Sequence, residues 1–95
     1  MLERDIEIKV KEYARSKGWL AYKFTSPGHA FVPDCILVSP IGRVIFIEFK
    51  QTGKKGTPGQ LREIQRLIEH NVFAVIIDSV EKGKDLVDAH MEAVC

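Results

Sequence analysis

The sequence lacks most of the features that announce a protein class at once. Two cysteines, Cys35 and Cys95, are too few for a disulfide framework, and both read as free thiols of a reducing compartment. The formal net charge is only +1, so the bulk basic field common in nucleic-acid binders is missing. The longest apolar run, Val72 to Ile77, is six residues, against the roughly 20 that a membrane-spanning helix needs. No membrane partner is expected. The opening residues Met1-Leu2-Glu3-Arg4-Asp5 are charged at once, with no apolar stretch of secretory type behind them, and a cytoplasmic location is expected. His70 and His90 have no Cys or His partners at zinc spacing, and Gly53-Lys54-Lys55-Gly56 lacks the spacing of a nucleotide phosphate loop.

What is present is ordinary globular composition: 95 residues, 45% hydrophobic and 28% charged, enough for one domain over 1–95. Its charge is unevenly spread. Residues 43–66 hold Arg43, Lys50, Lys54, Lys55, Arg62 and Arg66 against Glu48 and Glu63, a local surface that could face an anion or could simply be solvated.

Leu2, Ile6, Val10, Tyr13 and Ala14 recur at helical steps through Lys17, and Gly18 stops that helix. Trp19 to Phe24, Cys35 to Val38 and Arg43 to Lys50 have strand composition, separated by turn chemistry at 25–29 and 39–42. Thr57-Pro58-Gly59-Gln60 reads as a capping box, with Pro at the first helical position, opening a helix whose apolar face is Leu61, Ile64, Leu67 and Ile68. That helix ends near His70-Asn71. Val72 to Ile77 reads as a strand covered on both faces. A last helix, roughly 80–91, presents Leu86, Val87, His90, Met91 and Val94. The order is α-β-β-β-α-β-α. Short links make the first three strands antiparallel and the helical crossover makes the last pair parallel, so an α/β fold with a mixed four-stranded sheet flanked by helices is expected.

On the third strand, period-2 alternation sends Ile45, Ile47 and Phe49 to one face and Val44, Phe46, Glu48 and Lys50 to the other. A carboxylate and an ammonium thus emerge from an otherwise apolar strand, where burying them is costly. With the preceding turn centred on Ile41, Val38 faces Val44, Ile36 faces Phe46, and Asp34 faces Glu48. Two opposed carboxylates repel unless a cation lies between them, and their oxygens are the donors that Mg²⁺ or Mn²⁺ prefers. The plainer reading makes Asp34 a turn residue after Pro33.

Pro33-Asp34, thirteen intervening residues, then Glu48-Phe49-Lys50 resembles the PD-(D/E)XK nuclease signature. Glu7-Ile8-Lys9 also satisfies E-x-K, but on a helix and ahead of the Pro-Asp pair. Glu3, Gly18-Trp19, Pro33-Asp34, Glu48-Phe49-Lys50 and Gln60 together resemble the virus-type replication-repair nuclease (VRR-NUC) family in its stand-alone phage and bacterial form, over about residues 3–80. The resemblance implies a restriction-endonuclease-like core. It also implies a Mg²⁺ or Mn²⁺ ion held by Asp34, Glu48 and the Phe49 carbonyl, with Glu3 completing the cluster directly or through water. Lys50 would orient or deprotonate the attacking water, and Gln60 would contact substrate or brace the site. It further implies a homodimer cutting branched DNA such as Holliday junctions, in a bacterial or phage-infected cell. Flap or single-strand-end cutting by the same site, or a binding module without chemistry, are the alternatives. Lys23, His29, Lys54 and Lys55 are candidates for DNA contacts. Phe31 stands where members usually have Gly, which implies a differently shaped loop before Asp34.

Overall fold

The computed structural model describes residues 1–91. Val94 and Cys95, read above as part of a helical stripe and as a free thiol, lie outside the described residues. The elements are α1 (Glu3–Ser16), β1 (Leu20–Lys23), β2 (Cys35–Val38), β3 (Val44–Phe49), α2 (Pro58–Glu69), β4 (Phe73–Ile77) and α3 (Val80–Ala89), in the expected order. The sheet runs β1-β2-β3-β4, with β1, β2 and β3 antiparallel and β3 parallel to β4.

Local chemistry sets the boundaries. After α1, Gly18 takes φ +86°, and its N–H donates to Arg15 O while Trp19 N–H donates to Ala14 O. This Schellman closure needs a left-handed residue, which glycine supplies without steric cost. Asn71 makes the same closure on α2, with φ 63° and Val72 N–H donating to Leu67 O. The start of α2 is the capping box: Gln60 N–H donates to Thr57 Oγ1 at 3.3 Å and Thr57 N–H to Gln60 Oε1 at 2.9 Å. In the β2–β3 turn, Ser39 is buried and its Oγ accepts from Arg43 N–H at 2.9 Å.

The main core lies between one sheet face and the helices α1 and α3. Ile6, Val10 and Ala14 of α1 and Val87 of α3 meet Cys35, Leu37, Ile45, Ile47, Phe49 and Ile77, all buried. Leu2, assigned above to the α1 stripe, instead precedes the helix and is exposed. It lies before the first turn, where helical periodicity no longer dictates which way a side chain points. Helix α2 packs on the opposite face over β4, where Ile64 and Ala74 are buried. Over β1, β2 and the start of β3 that second face is less covered: Leu20, Tyr22 and Val44 are exposed on it, at register positions opposite Val38, Ile36 and Val38. No helix of the described residues is long and apolar enough to cross a membrane.

Candidate active site

The site forms where the β2–β3 ladder ends. The register pairs Val38 with Val44, Ile36 with Phe46 and Cys35 with Ile47, so one further step sets Asp34 opposite Glu48. Phe24 N–H donates to Asp34 O at 2.9 Å, extending the β1–β2 pairing to the same level. On the other side, Glu48 pairs with Ile76 of β4, and Lys50 N–H donates to Ile77 O at 2.9 Å. The segment 48–50 is therefore held by its own strand and by β4.

The carboxylates sit in an environment that opposes their charge. Glu48 is only 6% exposed, and burial, then the charge of Asp34, pushes its carboxyl up to about 7; Lys50 works against that, while Glu3 and Glu7 add to it. Asp34 is also raised, first by burial and then by Glu7, with Lys23 and Lys11 opposing and Glu3 adding. Asp34 Oδ1 is buried without a hydrogen-bond partner. Such an atom is costly, because a buried acceptor forfeits its hydration with nothing in exchange. Next to it Cys35 is fully buried, and burial pushes its thiol up to about 12.

The remaining candidate residues divide into groups. Glu3, Lys50, Lys54 and Lys55 line one open cleft of about 540 Å³, joined by Arg4. The loop that carries the two lysines is pinned from both sides: Gly53 N–H donates to Asp78 Oδ2 at 3.2 Å, and Thr52 N–H donates to Met1 O at 3.2 Å. Lys23 lies exposed on β1, close enough to lower the Asp34 carboxyl. Gln60 is committed through its side-chain oxygen to the capping box. His29 is elsewhere, its Nε2 2.7 Å from Glu63 Oε2 on α2. Among the described residues no three His, Cys, Asp or Glu side chains form a ready metal-holding group. The carboxylates set face to face are the Asp34–Glu48 pair, with Glu3 and Glu7 acting on them through space.

Two features escape a reading of the sequence. Glu7 acts on Asp34 more strongly than Glu3 does, and it is ion-paired with Lys11 one turn further along α1. Its i+4 relation to Glu3 was the available signal, masked by the E-x-K decoy it begins. The second is Phe31, whose φ is 67°. The backbone there takes a conformation that favours glycine, and it carries a bulky ring in that place.

Two carboxylates opposed at a strand end, one with a buried and unpartnered oxygen, offer the hard oxygen donors that a divalent cation prefers. No family model matches the chain. A protein of Acyrthosiphon pisum secondary endosymbiont phage 1 named "Putative nuclease p44" is 43% identical over 77 residues, covering 81% of this chain and 83% of its own. Among solved structures, one titled "VRR_NUC domain" superposes with a TM-score of 0.85 at 26% identity, covering 93% of this chain and 96% of that one. A second, titled "VRR_NUC domain protein", has a TM-score of 0.73 at 16% identity over 93% of this chain and 86% of its own, a likeness of fold alone.

Proposed function

The chain belongs to the VRR-NUC nuclease family, and from that premise we propose that it is a divalent-metal-dependent endonuclease cutting branched DNA, four-way junctions above all, as a homodimer. The observation that carries the metal is the buried, unpartnered Asp34 Oδ1 at the register position opposite Glu48. Asp34, Glu48 and the Phe49 carbonyl would hold Mg²⁺ or Mn²⁺, and Glu3 would complete the acidic cluster directly or through water. When bound, a divalent ion would supply charge neutralisation at the scissile phosphate and would lower the pKa of a water. Lys50, on the same strand face as Glu48, orients that water or takes up its proton. Lys54, Lys55 and Lys23 contact flanking phosphates, which position the DNA without reading its sequence. Gln60 braces the site by capping α2, and His29 reaches DNA only by giving up Glu63.

Two symmetric nicks need two sites, and each chain supplies one. The exposed Leu20, Tyr22 and Val44 on the half-covered sheet face favour pairing of two copies. The phage origin of the 43% identical relative supports action in a bacterial or phage-infected cell.

The test is incubation with labelled four-way junction, 5′ flap and plain duplex, each with Mg²⁺, Mn²⁺ or EDTA, alongside folded Asp34→Ala and Glu48→Ala. Paired junction nicks lost with EDTA and in both variants are the expected result. Cutting confined to flaps would keep the site and overturn the junction role. Absence of any metal-dependent cutting would leave a binding module on the same fold.

A further inference from the structure

Phe31 combines three properties that no packing role explains together. It is 55% exposed. It holds a left-handed φ of 67°, which for a bulky residue is a true outlier and persists only where its surroundings over-determine it. It also rests against Gly59 in the first turn of α2: a Cβ on Gly59 would come within 2.8 Å of three ring atoms. Glycine at that helix position therefore lets the ring sit against the helix. The ring is supported from beneath while more than half of the residue's surface stays open to solvent.

Basic groups surround it. Phe31 shares a cavity of about 400 Å³ with Arg62 and Arg66, which lie four residues apart on α2, are exposed, and have no carboxylate within ion-pair distance among the described residues. The acid in that cavity, Glu63, is engaged by His29 at 2.7 Å. Phe31 is joined to Asp34 through Val32 and the fully buried Pro33, so the ring's position is tied to the metal-binding carboxylate. A seated aromatic face with unpaired guanidinium groups beside it is the chemistry that receives a nucleobase and its phosphates.

We propose that Phe31 is a stacking platform for an unpaired nucleobase of the DNA, with Arg62 and Arg66 holding the adjoining phosphates. Rested on the nuclease reading above, this makes Phe31 the residue that selects a strand discontinuity over continuous duplex. A fully paired base is not free to stack there.

The test is a double-mutant cycle between protein and DNA, read as binding with Ca²⁺ in place of Mg²⁺. Splayed duplexes carry an abasic residue at each unpaired position in turn, and plain duplex is the control. Phe31→Gly suits the left-handed backbone, so it should fold, and Phe31→Trp keeps a stacking face. The expected result is one position at which the abasic residue weakens wild-type binding about tenfold. The same lesion should cost Phe31→Gly nothing and should still cost Phe31→Trp. Arg62→Ala and Arg66→Ala should each lower the salt dependence on every DNA by roughly one unit of slope. Equal abasic penalties in wild type and Phe31→Gly, or a Phe31→Gly loss as large on plain duplex, would overturn the platform. Cleavage with Mg²⁺ or Mn²⁺ is scored separately. If the wild type cuts nothing, the nuclease reading fails, while the cycle still reports on stacking.

Discussion

On one face of β3, Ile45, Ile47 and Phe49 have no exposed surface and meet the apolar core. On the other, Phe46, Glu48 and Lys50 pass from ring to carboxylate to ammonium at successive alternate positions. One backbone in one register serves both. Because a slip of one residue would exchange the faces, the apolar side chains that stabilise the strand also dictate where the carboxylate stands. The core face supplies stability that the site face spends, since burial of Glu48 and an unpartnered Asp34 oxygen both oppose folding of the ion-free protein.

Four measurements test that division. Phe49→Ala removes the largest fully buried side chain of the core face and should cost about 3–5 kcal/mol in urea unfolding, a large part of the stability of a domain this small. Glu48→Gln, one residue away on the other face, should lower metal-dependent nicking by about 10²–10³-fold, while leaving the ion-free protein as stable or more so at pH 8. Loss of stability on a par with Phe49→Ala would break the comparison.

A third measurement follows from the raised carboxyls. Glu48 ordinarily titrates near 4.5 and is pushed up to about 7 in the fold. The folded protein therefore binds a proton more tightly than the unfolded chain does. Below about pH 4.5 both states are protonated at this group and no penalty applies. The penalty grows between about 4.5 and 7 and is complete above that window. Asp34 shifts in the same direction. Thermal unfolding of the ion-free protein should thus show Tm falling from pH 5 to pH 8, and Mg²⁺ or Mn²⁺ should restore it at pH 8. A Tm that climbs across that window without metal would contradict the assignment.

The smallest effect concerns Gln60. Gln60→Ala should cost about 1 kcal/mol by opening the capping box, and Gln60→Glu should recover it, because glutamate serves the same position. Nicking that follows stability across the two variants would identify a bracing residue. Nicking lost in both, with stability recovered in one, would place the amide at the substrate.

Elements governed by local rules were legible in the sequence. The β2–β3 register followed from a turn centred on Ile41, and the α2 start followed from Thr57, Pro58 and Gln60. Glu48 stood out because a charge in an apolar strand needs a reason. Features set by how elements pack were not legible. Glu7 reaches Asp34 because of the way α1 lies against the sheet, which no periodicity encodes. His29 meets Glu63 across 34 residues of chain. The left-handed turn at Phe31 had no glycine or asparagine to announce it.

Cys35 has a practical use that follows from its position. It is sealed in the core on the residue after Asp34, with its thiol protonated throughout the neutral range. An alkylating reagent can reach it only when β2 parts from its neighbours. In a Cys95→Ser background, the labelling rate therefore works as a clock for opening of the strand beside the site. A cation that binds Asp34 and Glu48 should slow that clock even when no DNA is present, reporting occupancy of the site without a turnover.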